Sequence, residues 1–153
     1  MSPAKLIVSI ENQEVSLLDS DGATIQTYPV STSKFGTGTE EGSYQTPLGN
    51  FIVSEKHGEN EPILTIFKGR QAVGIYSPEE PSEGDLVLTR ILWLSGTDPH
   101  NTNTKLRYIY FHGTNQEDLI GTPASFGCIR LRNQDMLDLF NQTPQACPVQ
   151  INL

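Results

Sequence analysis

The sequence predicts a mostly-β domain. Short runs of β-branched and aromatic residues recur along the chain, many of them alternating with polar ones. Thirteen glycines and ten prolines in 153 residues supply many turns and argue against a helical bundle. One segment alone carries a helical apolar period.

The elements follow in chain order. Leu6 to Ile10 and Val15 to Leu18, split by Glu11-Asn12-Gln13-Glu14, read as a hairpin. Asp19-Ser20-Asp21-Gly22 is a turn, and Thr24 to Val30 is a third strand. Ser31 to Thr46, rich in Gly, Ser and Thr, reads as loop. Thr46-Pro47-Leu48-Gly49 then turns the chain into a strand at Asn50 to Ser54. Ile63 to Phe67 and Ala72 to Tyr76 are two more short strands. Ser77 to Asp85 is acidic, carries two prolines and reads as a surface loop. Leu86 to Leu94 is a buried strand pair or one long strand, Gly96 to Lys105 a polar loop, and Arg107 to Phe111 a strand. Asn133 to Phe140 is the helix: Asn133 can cap it, Asp135 suits its first turn, and Met136, Leu139 and Phe140 make one face. Pro144 ends it, and Pro148 to Leu153 closes the chain as a strand. With no repeat or linker, one domain over residues 1–153 is expected, large enough for a real core.

Charge narrows the function classes. Eighteen acidic and ten basic residues give a net charge of −8, which disfavours nucleic acid and anionic membrane as partners. No run approaches the ~18 apolar residues of a membrane span. Met1-Ser2-Pro3-Ala4-Lys5 runs into a short apolar stretch that ends on Glu11, unlike a signal peptide. The expectation is a cytoplasmic protein, or a periplasmic one whose signal has been removed. Two cysteines without CxxC spacing suggest neither a disulfide framework nor a structural zinc site.

Chemistry concentrates between Tyr110 and Asn133. A cysteine nucleophile needs a base, nearby positive charge and backbone N–H groups aimed at the developing oxyanion. His112, at a strand end, can be that base for Cys128. Gly127 allows close approach to the backbone. Arg130, two residues beyond Cys128, shares a strand face with it and can hold a substrate carboxylate. Taken alone, Cys128 reads more readily as a small buried hydrophobe than as a nucleophile. Cys147 reads as buried, and His57 and His100 as exposed loop residues.

His112-Gly113-Thr114, followed by Ser125-Phe126-Gly127-Cys128-Ile129-Arg130-Leu131-Arg132-Asn133, resembles the signature of the YkuD, or L,D-transpeptidase catalytic, family: HG[ST], then [ST]HGC-apolar-R-apolar-x-N. Thr46-Pro47-Leu48-Gly49-Asn50-Phe51 is similar to the family's TPxGxF element, and Leu88 to Leu94 to a strand of many members.

The resemblance implies a β-sandwich-like fold with one or two short helices, and a cysteine acyl-transfer site without metal or cofactor. Peptidoglycan stem peptides or muropeptides are the implied substrates. Cys128 would be the nucleophile, attacking the diaminopimelate carbonyl ahead of terminal D-alanine. His112 would be the general base and acid, with the Gly113 carbonyl orienting its ring. Gly127 and Cys128 would surround the oxyanion. Arg130, Ser125, Phe126, Thr114 and Asn133 would line the substrate site, with Arg132 or Arg90 adding positive charge. Phe126 departs from the signature's histidine and has no titratable group. The expected outcome is an L,D-carboxypeptidase of peptidoglycan recycling. The alternatives are a transpeptidase or D-amino-acid exchange enzyme and, in another class, a non-catalytic peptidoglycan-binding module.

Overall fold

The computed structural model describes residues 2–80 and 84–153. Met1 lies outside the described residues, as do Pro81, Ser82 and Glu83 of the expected acidic loop. Among the described residues run ten strands and one α-helix. The predicted hairpin is β1 (Pro3–Ser9) with β2 (Glu14–Asp19). Asp19 Oδ1 accepts the N–H groups of Asp21 and Ala23, closing the next turn into β3 (Thr24–Pro29). Then come β4 (Gly49–His57), β5 (Thr65–Lys68), β6 (Gln71–Ile75) and one long β7 (Val87–Gly96). The chain finishes with β8 (Tyr110–Gly113), β9 (Ile129–Leu131), α1 (Asn133–Gln142) and β10 (Pro148–Asn152).

The strands join in the order β3-β2-β1-β10-β4-β7-β5-β6, and β8 branches from β7 to carry β9. The pairs β1–β10 and β8–β9 are parallel and the others antiparallel. Strands β1, β2, β4 and β10 alternate, with Leu6, Val8, Val15, Leu17, Phe51, Val53, Val149 and Ile151 facing one core. Strand β7 is buried almost continuously, the pattern of a strand covered on both faces. Its Leu92 and Leu94 enter the main core, while Ile91 and Trp93 join a second, smaller cluster with Phe67, Tyr110 and Cys128. Met136, Leu139 and Phe140 of α1 close the main core.

Four local expectations need correction. Asn133 does not cap α1: it is the first helical residue, and its N–H is accepted by Glu117 Oε2 at 2.7 Å, so a distant carboxylate does the capping. Arg107 and Tyr108 are not strand. Turn bonds from Arg107 N to Asn103 O and Tyr108 N to Lys105 O hold them, Tyr108 has φ 57°, and the strand begins at Tyr110. His57 ends β4 rather than lying in a loop, pinned by Glu55 Oε1 at 3.0 Å. Ile63 and Leu64 lie in the turn before β5, because Thr65 Oγ1 and N–H both bond back to Pro62 O.

Candidate active site

The site is built on the parallel pair β8–β9. Its register sets Phe111 against Ile129, His112 against Arg130 and Gly113 against Leu131. Side chains alternate between faces. Ile109, Phe111, Ile129 and Leu131 enter the main core, so Tyr110, His112, Cys128 and Arg130 share the opposite face. Cys128 immediately precedes β9 and lies two residues before Arg130, the register partner of His112.

Cys128 is partly exposed. Its thiol donates to Tyr108 O and accepts from Tyr110 N–H, both at 3.3 Å. Burial pushes the Cys128 thiol up to about 12. Asp85 adds to that shift, and the Tyr110 N–H, Arg130 and Arg107 oppose it. His112 is buried, and its Nδ1 sits 2.5 Å from Gly113 O. That bond places the proton on Nδ1 and leaves the Nε2 lone pair as the basic position. Burial holds the imidazole below its ordinary value and Arg130 lowers it further, while Asp85 and the Gly113 carbonyl pull the other way. The resting pair is therefore a neutral thiol and a neutral imidazole, not a preformed ion pair.

The loop before Cys128 is tied down by hydroxyls. Ser125, buried, donates through Oγ to Cys128 O at 2.7 Å and accepts Gly127 N–H at 3.2 Å. The Gly127 N–H is thus engaged by the Ser125 hydroxyl. Gly127 has φ 125°, a left-handed region that favours glycine. Thr46 Oγ1 donates to Gly127 O at 2.9 Å and accepts Ser33 N–H at 3.0 Å. The expected loop 31–46 therefore forms a wall of the site: Ser31 N and O both pair with Arg130, and Lys34 N with Ser125 O.

Arg130 differs most from expectation. It is fully buried, and its guanidinium already has partners: Asp85 Oδ1 at 3.0 Å, Gln116 Oε1 at 2.6 Å and Ser31 Oγ at 3.2 Å. It offers no free fork to a substrate carboxylate. Arg90 is also buried, spent on the carbonyls of Thr89 (2.6 Å) and Glu61 (2.8 Å), whereas Arg132 is exposed just before α1. Thr114 is buried, its hydroxyl accepting Gln116 N–H. Cys147 is buried and bonds Pro148 O; His100 is exposed and bonds Leu48 O.

Phe126 stands half-exposed beside the nucleophile. It packs with Phe35 and Tyr44, ring centres 5.8 and 6.0 Å away, and Lys34 Nζ lies 4.7 Å over its ring. With Tyr44, Leu106, Tyr108 and Ile109 it lines a cleft of about 220 Å³, whose charged members are Glu41 and Arg107. Arg107 is turned onto the carbonyls of Gln45 and Gly38. Trp93, stacked on Tyr108 and edge-on to Tyr110, carries Arg70 over its face at 4.6 Å. A second cavity of about 350 Å³ lies beside Thr114 and Asn133, bounded by Ile63, Leu64, Tyr76 and Glu117.

Sequence reasoning missed Asp85, Gln116 and Ser31, the partners of Arg130, because pattern does not reveal a contact between residues 14 to 99 positions apart. It also missed Thr89. Thr46 was signalled only through the TPLGNF element.

A mostly-β fold that sets a cysteine just ahead of one strand and a tautomer-fixed histidine on its parallel neighbour defines a cysteine–histidine site. The chain belongs to the YkuD family, L,D-transpeptidase catalytic domain, which it matches over residues 3–151. It is 28% identical over 150 residues to the Bacillus licheniformis protein YkuD, named for an L,D-transpeptidase, and 27% identical over 151 residues to its Bacillus subtilis namesake. These matches cover 97% and 98% of this chain, which spans 66% of the length of each relative. The fold is similar to an L,D-transpeptidase of Xylanimonas cellulosilytica (TM-score 0.65, 17% identity, 99% of this chain and 61% of that one). It is also similar to L,D-transpeptidase 3 of Mycobacterium tuberculosis, solved with a faropenem-derived adduct (TM-score 0.64, 17% identity, 99% and 60%).

Proposed function

We propose that the protein is a cysteine-dependent L,D-peptidase acting on peptidoglycan tetrapeptide stems through a Cys128 acyl-enzyme. The observation that carries this is the face shared by β8 and β9, on which Cys128 lies two residues before Arg130, the register partner of His112, whose Nδ1 is fixed by Gly113 O. Because both groups rest neutral, the thiol proton passes to His112 Nε2 as sulfur attacks the carbonyl of the residue before D-alanine. The tetrahedral intermediate collapses to a thioester. His112 returns the proton to the departing D-alanine amine. Water, deprotonated by the same nitrogen, then attacks the thioester, releases the tripeptide acid and restores the thiol.

Hydrolysis is our primary reading of the second half-reaction. The cleft at Phe126, two residues before Cys128, is walled mainly by Tyr44, Leu106, Tyr108, Ile109 and Phe126, and of its two charged members Arg107 is turned onto backbone carbonyls. Water needs no partner there. The second reading, transfer to an amine, is favoured by the names of the relatives and by Glu41, which can draw an ammonium into that cleft.

The test is mass spectrometry of a diaminopimelate tetrapeptide incubated with the protein, with and without excess D-methionine. Tripeptide in both supports the carboxypeptidase. A D-methionine-capped product or a dimer establishes the amine acceptor. No turnover, together with no Cys128-dependent mass shift from a carbapenem, overturns the catalytic reading in favour of a binding module.

A further inference from the structure

Thr89 is buried in β7 with φ 77°. A β-branched residue in the left-handed region is a genuine outlier, since its Cβ crowds the backbone, and such strain persists only where surrounding structure imposes it. Here the imposing structure is the register. Strand β7 pairs with β8 as Leu88 with Gly113 and Ile91 with His112, so Thr89 and Arg90 form a bulge opposite the His112-Gly113 step. The bulge turns the Thr89 hydroxyl onto Asn133 Oδ1, to which it donates at 2.7 Å. The Asn133 amide then donates through Nδ2 to Thr114 O at 2.8 Å and lies 3.2 Å from Glu117 Oε2. The chain of bonds therefore runs from a strained residue of β7 to the carbonyl one residue beyond Gly113.

The network presses on Gly113 itself. A methyl group on its Cα would stand 2.2 Å from Asn133 Oδ1, 2.8 Å from Thr89 Oγ1 and 2.9 Å from Leu88 O. A side chain at position 113 has no room on the side that faces β7 and α1. The Gly113 carbonyl is the group that accepts the hydrogen bond from His112 Nδ1–H. Orientation of that carbonyl decides which ring nitrogen is left basic.

We propose that Thr89 is a positioning residue for His112: its left-handed backbone and its hydroxyl bond to Asn133 hold Gly113 where its carbonyl fixes the imidazole. The inference rests on the reading of His112 as the base. Thr89 touches neither thiol nor substrate in this account. Its action passes through Asn133 and Gly113.

The experiment compares Thr89→Val, which keeps the shape and deletes the hydroxyl, with Thr89→Ser, which keeps the hydroxyl. Thr89→Gly, which relaxes φ and deletes the hydroxyl, replaces Val if that variant does not fold. Two quantities are read: the imidazole tautomer by long-range 1H–15N correlation, with His112→Gln assigning the signal, and the rate of Cys128 acylation by imipenem against pH. The wild type is expected to show the Nδ1–H tautomer. Thr89→Val should give a tautomer mixture, acylation at least tenfold slower and a displaced pH profile, with Thr89→Ser recovering most of both. An unchanged tautomer and pH profile in folded Thr89→Val, or equal losses in Val and Ser, overturns the proposal. A tautomer change in a wild-type background that imipenem never acylates supports the positioning role while removing the proposed function.

Discussion

The two halves of the site are made differently. Around His112 most groups are buried and hydrogen-bonded: Gly113 O, Thr89, Asn133 and Thr114 form one network, joined at its surface by the exposed Glu117. Around Cys128 the thiol makes two sulfur bonds, packs inward on Phe67, Ile91, Trp93 and Tyr110, and is flanked by half-exposed rings, Tyr44, Tyr108 and Phe126. The difference teaches where precision is needed. A base must present one nitrogen in one direction, which buried bonds of fixed geometry ensure. A nucleophile's flank must admit and release substrates of several residues, and apolar rings do this without leaving polar groups unpaired.

The largest effect should come from cutting the bond network between the halves. Arg130 is fully buried and pairs with Asp85, and both act electrostatically on Cys128 and on His112. Arg130→Ala leaves the Asp85 carboxylate without its partner and opens a cavity under β9. Breaking a buried ion pair costs about 3–5 kcal/mol. Urea denaturation should show a loss of that size, with activity falling because less protein is folded. A variant of wild-type stability with only a raised KM would restore the reading of Arg130 as a free substrate clamp.

That prediction also shows what the sequence could and could not convey. Short apolar runs bounded by turn residues announced β1, β2, β4 and β10, each of which buries one face, and the unbroken run in β7 matches a strand covered on both. Cysteine and histidine stand out by chemistry, so Cys128 and His112 could be singled out before any contact was known. Arg130 also stood out, yet its role reversed, since nothing local reveals that Asp85 folds back upon it from 45 residues away. Asn133 looked like a cap because asparagine favours that place. Its side chain instead serves Thr89 and Thr114, and Glu117 caps the helix. Thr89 is the hardest case: threonine inside an apolar strand reads as ordinary β propensity, and only the register of β8 makes it strained.

Titration sharpens the comparison, with a moderate effect. Burial depresses the His112 pKa in the folded state, so the unfolded chain binds the proton first as pH falls. Stability should then fall as pH drops below ~6.5, the ordinary histidine value, and this slope should flatten in His112→Gln. The window of pH 5 to 6.5 keeps clear of most carboxylate titration. The thiol gives the opposite sign. Its folded pKa is raised to about 12, so above ~8.5 the unfolded thiol ionises while the folded one does not, and stability should fall as pH rises. Cys147 is also raised by burial and contributes the same sign, so the difference between wild type and Cys128→Ser isolates the nucleophile. Alkylation by iodoacetamide should climb steadily through alkaline pH. A plateau already reached near pH 7 would mean a preformed thiolate–imidazolium pair.

The smallest effect on stability, and a telling one for function, should come from Phe126→His. The ring is half-exposed, and its packing is with Phe35, Tyr44 and the Lys34 ammonium. Aromatic pairs contribute about 0.5–1.5 kcal/mol each, and a histidine ring keeps part of that contact, so the expected loss is about 1 kcal/mol. Lys34 over the ring opposes a positive charge there, which keeps the new imidazole neutral and able to accept a proton. Phe126 bonds neither the thiol nor His112, so acylation by a carbapenem should change by less than about threefold, roughly 0.65 kcal/mol. What should move is the fate of the acyl-enzyme. With a second base in the cleft, an incoming ammonium can be deprotonated where it binds, and the share of D-methionine-capped product should rise over tripeptide. An unchanged product ratio would show that the apolar rim does not govern the acceptor, and that the choice between water and amine lies on the buried, His112 side of the site.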